Sequence, residues 1–301
     1  MITRLKKFYK KDKGTFFRRL FLRFYSFILM YPLIKIFIRF FSSEPNIKNW
    51  IIILSNYNSG STLLKNILSN AQEIAFLPDE SVLYSTQVKR PDEEFGWQRN
   101  WIFCEDKIGS KNLGRSNFIK FIYDISPVWV KSSKTIFFMD KTISNITRIQ
   151  WFINNCENIK FLAITRNPYA CCEGMSRKSR PVDKAKEIYG KNKYSFSDLA
   201  KQYKLANEEI LKFSNKLKYF KLIKYEDLCM SPSKVMLDVF DFLEISSNQI
   251  KFEKNLIEVN KAKFKIINYN SSSINRLKKS EITEINNVLG SLINKLEYEK
   301  I

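Results

Sequence analysis

The stretch Trp50-Ile51-Ile52-Ile53-Leu54-Ser55-Asn56-Tyr57-Asn58-Ser59-Gly60-Ser61-Thr62-Leu63-Leu64 decides the fold. Five consecutive apolar residues without polar alternation read as a strand covered on both faces, as in a parallel sheet. After Thr62, apolar residues at 63, 64, 67 and 68 follow helical spacing. Between them, Ser59-Gly60-Ser61-Thr62 sets backbone N–H groups, a flexible glycine and three hydroxyls at a helix N-terminus. A phosphate or sulfate needs such a turn, although a plain strand-to-helix connection also accommodates these residues. No lysine stands between Gly60 and Ser61, so the Gly-Lys-Ser/Thr core of a nucleoside-triphosphate loop is missing. That lysine, with Mg²⁺ on the following hydroxyl, neutralises a polyphosphate. A loop without it suits a less charged group such as a phosphosulfate; the alternative is a degenerate P-loop for another nucleotide.

Further motifs stand at comparable places along the chain. Thr135-Ile136-Phe137-Phe138-Met139 runs into Asp140-Lys141-Thr142, and Lys160 to Thr165 runs into Arg166-Asn167-Pro168. Phe220 to Lys224 runs into Tyr225-Glu226-Asp227. Each apolar run precedes a helix-like pattern. Ser231-Pro232 supplies one helix with an N-cap and a first-turn proline, ahead of Val235, Met236, Val239, Phe240 and Phe242. Strands alternating with helices predict an α/β fold with a central parallel sheet and right-handed crossovers. Ligands bind such sheets beyond the carboxyl ends of the strands, so the four motifs converge on one crevice.

With these motifs the chain resembles the sulfotransferases that use 3′-phosphoadenosine 5′-phosphosulfate (PAPS). Ser59 to Leu64 is similar to their 5′-phosphosulfate loop, and Ile164-Thr165-Arg166-Asn167-Pro168 to their 3′-phosphate motif. Lys224-Tyr225-Glu226-Asp227-Leu228, then Pro232 and Phe240-Asp241-Phe242-Leu243, resembles their Tyr-Glu-Asp-Leu segment and following helix. Asp140-Lys141-Thr142 is similar to the Lys-Thr/Asp step ahead of the 3′-phosphate strand. The resemblance runs over roughly residues 50 to 298. It implies the family's three-layer, P-loop NTPase-like architecture and sulfuryl transfer from PAPS to a hydroxyl or amine acceptor, without a metal. It also implies that Asn58, Ser59, Gly60, Ser61, Thr62, Arg166, Gly174, Ser176 and Tyr225 line the nucleotide site. Near the end, Asn270-Ser271-Ser272-Ser273 followed by Arg276, Lys278 and Lys279 reads as a segment that closes over it.

Two positions depart from the family pattern. Asn58 stands where relatives usually carry Lys or Arg, and Gly174 stands where the 3′-phosphate serine usually lies, with Ser176 two residues on. Lys141 is then the remaining cation for the sulfuryl oxygens. The chain has no His, so a carboxylate is expected to take the acceptor proton. The resemblance implies a carboxylate after the first helix, where Pro78-Asp79-Glu80-Ser81 offers two; Glu80 is favoured over Asp79 because its side chain reaches further, and both also fit as caps or solvated loop charges.

Composition bounds the rest. At 301 residues and 45% hydrophobic content the chain suits one α/β domain with insertions. Five cysteines at 104, 156, 171, 172 and 229 show no metal-ligand spacing, which fits free thiols in a reducing, cytoplasmic setting. Of the net charge of +21, residues 1–41 carry +10, with eleven Lys and Arg against Asp12. This start (residues 1–48) is rich in aromatics, and its uncharged part from Phe24 to Ile34 is too short to span a bilayer. It reads as an interfacial helix on anionic lipid, as a helix docked on the domain behind a basic tail, or as a tilted span with snorkelling cations. The domain then occupies residues 49–301, with an insertion at about 84–134. Trp97, Trp101 and Trp129 in that insertion read as sugar platforms for a glycan acceptor or as buried aromatics. Seven Lys and Arg from Arg177 to Lys193 face an anion or form a solvated face. A final helix is predicted from about Ser280 to Glu297.

Two other classes compete. A P-loop kinase or NTPase would use Asp140 as a Mg²⁺ ligand, and a catalytically weak nucleotide-binding protein would explain Asn58 and Gly174. The basic charge matches no nucleic-acid module.

Overall fold

The computed structural model describes Phe24 and residues 48–109, 113–126, 134–214, 216–217, 219–253 and 256–301, with only the backbone of Asp92 and Glu93. The expectations for the basic, aromatic-rich start beyond Phe24, and for Trp129, fall outside these residues. No helix among the described residues is long and apolar enough to cross a membrane.

A five-stranded parallel sheet forms the centre. Its strands are β1 (Asn49–Ser55), β2 (Ile74–Phe76), β3 (Phe137–Asp140), β4 (Asn158–Thr165) and β5 (Phe220–Lys224), in the order β2-β3-β1-β4-β5. The principal helices are α1 (Ser61–Leu68), α2 (Arg115–Ile125), α3 (Ile149–Asn155), α4 (Pro168–Lys178) and α5 (Phe196–Ser214). They continue as α6 (Tyr225–Met230), α7 (Pro232–Leu243), α8 (Asn270–Ile274) and α9 (Lys279–Leu289). Side chains alternate across the pleat, so the apolar run of β1 feeds two cores. Trp50, Ile52 and Leu54 face one layer with Phe138, Phe161 and helix α5, while Ile51 and Ile53 face the other with Leu64, Ile67 and Leu68 of α1. All five β1 residues are buried, each stabilising by about 1.5–3 kcal/mol relative to exposure. This two-sided burial is why the run shows no polar alternation.

β1 is also the point where the strand order reverses. From it the chain builds β2 and β3 on one side, then β4 and β5 on the other. The loops leaving β3, β1 and β4 therefore meet at one edge of the sheet, where such folds place their ligand.

Three local features differ from the sequence reading. Ser231 precedes Pro232, but its side chain makes no capping bond. The C-terminal helix stops at Leu289, because Gly290 takes φ 52°, and a short turn Leu292–Lys295 follows. An unforeseen antiparallel sheet, β6 (Ile250–Glu253), β7 (Leu256–Val259) and β8 (Ala262–Lys265), packs Ile257 and Val259 against the α1 side of the core.

Candidate active site

The turn after β1 has an unusual backbone. Asn58 takes φ 62° and Gly60 takes φ 96°, both left-handed, before α1 begins at Ser61. Asn tolerates this region better than most residues. At Gly60 a side chain is excluded twice, since a Cβ there would lie 2.7 Å from Cδ2 of Tyr225. The ring of Tyr225, which follows β5, thus packs directly on the anion loop. Its hydroxyl donates to the carbonyl of Ile267 at 2.7 Å, and burial pushes its pKa up to about 12. Ser59 and Ser61 are buried, and Thr62 is exposed. The Ser59 hydroxyl lies 3.5 Å from the Cys171 sulfur, so it points at α4.

Arg166 follows β4 and is only 8% exposed. Its Nε donates to Oδ1 of Asn270 at 2.7 Å and its Nη1 to the main-chain oxygen of Asn58 at 2.9 Å. Its guanidinium stacks 4.4 Å from the ring centre of Tyr225. The third nitrogen, Nη2, is buried and has no hydrogen-bond partner among the described residues. A buried, unpaired guanidinium nitrogen is costly, and an anionic oxygen is the partner that suits it. Nδ2 of Asn58 is in the same condition. These two orphaned donors at the mouth of the loop fit the phosphosulfate nucleotide implied by the motifs.

Glu226 locks this arrangement. Its Oε1 accepts from the main-chain N–H of Asn167 at 2.9 Å and from Nδ2 of Asn270 at 2.5 Å. Its Oε2 accepts from the Tyr298 hydroxyl at 3.0 Å. Asn270 therefore bridges Glu226 and Arg166. Asn167 caps α4 by accepting from the N–H groups of Tyr169 and Ala170, ahead of Pro168. Neither Glu226 nor Asn270 was singled out for this role from the sequence. The acidic residue inside the Tyr225-Glu226-Asp227 motif was the available signal.

The other expected nucleotide residues lie as follows. Gly174 faces the Asn58 side chain, and a Cβ at 174 would lie 3.2 Å from Asn58 Cγ. Ser176 donates back to the carbonyl of Glu173 at 2.8 Å, and Ser272 to the carbonyl of Tyr269 at 3.1 Å. Ser273 is buried, and its hydroxyl accepts from Arg276 at 3.3 Å. Arg276 also donates to Glu173, as does Arg177, tying the segment after α8 to α4.

On the β3 side, Lys141 donates to Oε1 of Glu80 at 2.9 Å, and both side chains are mostly buried. Their meeting has a cause in Asp140, which is fully buried. Its carboxylate accepts from Ser81 Oγ at 2.6 Å, Asn145 Nδ2 at 2.6 Å and Thr142 Oγ1 at 3.0 Å. Thr142 in turn accepts from the Ser81 N–H at 2.8 Å. Loop 78–81 is thereby fastened to the end of β3, and α1 holds it from the other side through Lys65 Nζ to the Pro78 carbonyl at 3.2 Å. Asp79 Oδ1 accepts from the Glu80 N–H at 3.0 Å, as a turn residue would. Burial pushes the Asp140 carboxyl up, its hydrogen bonds oppose this, and the Glu80 charge adds to the rise. With both oxygens engaged inside the protein, Asp140 is a poor candidate for the Mg²⁺ ligand that the kinase reading requires.

At two positions of the aromatic insertion the structure takes the buried alternative. Trp97 and Trp101 are 8% and 1% exposed, and Trp97 stacks on Phe103 with ring centres 4.5 Å apart. They are core residues, and neither offers a platform to a sugar. Among the described residues no cluster of three or more His, Cys, Asp or Glu is arranged to hold a metal.

Among solved structures the chain is similar to a sulfotransferase domain from the curacin biosynthetic pathway, at 20% identity and TM-score 0.52, covering 85% of this chain and 99% of that one. It also matches a sulfotransferase of Mycobacterium avium at 10% identity and TM-score 0.49, over 85% and 78% of the two chains. A third match is retinol dehydratase in a complex with retinol and PAP, at 10% identity and TM-score 0.43, over 85% and 84%. No curated protein sequence matches the chain. The sulfotransferase family model matches residues 51–249, about two thirds of the chain, and the chain belongs to the sulfotransferase family.

Proposed function

We propose that the chain transfers the sulfuryl group of PAPS to a hydroxyl or amine of an acceptor, and that it does so without a metal. The observation that carries this reading is a pair of buried donors without partners among the described residues, Arg166 Nη2 and Asn58 Nδ2, beside a lysine-free anion loop. The backbone N–H groups at the start of α1 hold the 5′-phosphosulfate, aided by the helix dipole. Arg166 takes the 3′-phosphate with its unpaired nitrogen, and Tyr225, Asn270 and Glu226 fix its plane.

The donor supplies an activated sulfur bonded to a phosphate oxygen that leaves readily. Transfer breaks that S–O bond and forms a bond from sulfur to the acceptor oxygen or nitrogen. The bond pair stays on the departing 5′-phosphate, and the acceptor proton goes to the carboxylate of Glu80. Lys141 faces the charge that develops on the sulfuryl and bridging oxygens, where a preformed cation is worth most. Glu80 is the base of choice because it already touches Lys141, whereas Asp79 is turned to the backbone of its own loop. The acceptor enters between them and separates the pair.

Labelled PAPS incubated with a panel of phenols, sugar alcohols, glycans and amines tests the reading. Label should appear in at least one acceptor and depend on the folded protein. Transfer of label from a nucleoside triphosphate, with none from PAPS, would replace it with a phosphotransferase.

A further inference from the structure

The loop that should receive a multiply charged anion carries no cation of its own between Asn56 and Thr62. Among the described residues, Arg99 lies 5.8 Å from the ring centre of Tyr57, and two further cations, from the end of β4 and from α4, donate to Asn58. Arg166 donates to the Asn58 main-chain oxygen at 2.9 Å, and Lys178 Nζ donates to the Asn58 side-chain oxygen at 3.4 Å. We infer that Lys178, at the last turn of α4, is the cation of the anion loop, and that Asn58 positions it through Oδ1. The inference rests on the nucleotide reading above.

Three features of the fold make this contact. Gly174 and Lys178 are four residues apart on α4, so they share one helix face. The missing side chain at 174 leaves the space into which the Asn58 amide packs; Cγ, Cβ and Nδ2 of Asn58 would lie 3.2 to 3.4 Å from a Cβ there. The left-handed backbone at Asn58, φ 62°, carries that amide towards α4. Asparagine suits all three demands: it tolerates the backbone, its oxygen accepts from Lys178, and its Nδ2 is left with no partner among the described residues. Two departures from the family pattern, at 58 and 174, are thus one arrangement, and a lysine at 178 completes it.

The surroundings favour an incoming anion. Partial desolvation lowers the pKa of Lys178, and the charges of Arg99, Arg177 and Arg166 lower it further, against one opposing carboxylate, Glu173. A cation held among three others gains when a phosphosulfate arrives. Lys178 is exposed, so its removal should leave the fold intact.

A charge transplant tests the inference, with titration calorimetry of adenosine 3′,5′-bisphosphate and of adenosine 5′-phosphosulfate as probes. Lys178→Ala should weaken the 5′-phosphosulfate probe about tenfold, the scale of one charge-assisted hydrogen bond, with an unchanged melting temperature. Adding Asn58→Lys to Lys178→Ala should restore most of the loss. Asn58→Lys alone should give no comparable gain, because the new charge crowds Lys178 and Arg166. If Lys178→Ala binds both probes as the unaltered chain does, or if Asn58→Lys has the same effect with and without Lys178, the inference fails while the nucleotide reading stands. If the unaltered chain binds neither probe, the nucleotide reading fails and takes this inference with it.

Discussion

Around Arg166 a buried guanidinium keeps one nitrogen without a partner among the described residues, whereas around Asp140 both carboxylate oxygens are engaged and the nearby Lys141 is paired with Glu80. The β4 side of the crevice is therefore rigid but unsatisfied, as a binding site for an anion should be. On the β3 side the Asp140 carboxylate is satisfied within the protein, and Lys141 and Glu80 are paired with each other. On the proposed function this contrast separates two roles on the strand ends that flank β1: one side would select the nucleotide, while the other would be opened by an acceptor before chemistry proceeds. Substitutions on the two sides should accordingly change different measurements.

The largest effect is expected at Arg166. Arg166→Ala should weaken adenosine 3′,5′-bisphosphate binding by about 2–5 kcal/mol, the range for a desolvated, hydrogen-bonded charge. Adenosine 5′-phosphosulfate, which lacks the 3′ group, should be barely affected. Equal losses for the two would make Arg166 a structural brace and erase the contrast. Next comes Asp140→Ala, which removes the acceptor of Ser81, Asn145 and Thr142. It should lower unfolding free energy by about 3 kcal/mol and release Glu80 from Lys141. A variant with native stability in denaturant titration would show that the network does not hold loop 78–81.

Lys141→Ala should cut turnover about 10²-fold, or about 2.7 kcal/mol, with product-nucleotide affinity nearly unchanged. Glu80→Gln should do likewise. A matching loss of nucleotide affinity for Lys141→Ala would move Lys141 to the binding side. Turnover retained by both variants would remove them from the chemistry, leaving Asp79 as the next base.

The smallest effect concerns Glu173, which links α4 to Arg276 beyond α8. Burial alone would raise its pKa, but the hydrogen bonds from Arg276 and Arg177 outweigh it and hold the carboxyl below its ordinary 4.5. A depressed folded pKa stabilises above the unfolded value and loses that stabilisation as pH falls through the folded one. Both arginines are about half exposed, so the contribution should be about 1 kcal/mol. Glu173→Gln should flatten the acid side of a stability–pH curve by that amount; an unchanged curve would show that the pairs add nothing.

The sequence made one part of this readable and hid another. β1 and α1 were legible because a strand buried on both faces shows as an unbroken apolar run, and a helix after it keeps its own spacing. Arg166, Tyr225 and Lys141 stand out as candidates because each lies at or beside a strand end, and the sheet gathers those ends; Glu80 stands out only through the resemblance, which places a carboxylate after the first helix. The contact of Asn58 with Gly174 and Lys178 was not, since it joins residues more than a hundred positions apart, and a missing Cβ leaves no sign of what fills its place. Trp97 and Trp101 were ambiguous because an aromatic looks the same in a core or on a platform. Strands β6 to β8 escaped because they are four residues each, so their alternation is too brief to stand out.

The most direct test of the account is calorimetry of the unaltered chain with adenosine 3′,5′-bisphosphate in excess chelator. Saturable binding to the folded protein, unchanged when Mg²⁺ is added back, is the predicted result. No binding at about millimolar ligand, or binding only with Mg²⁺ present, would contradict it.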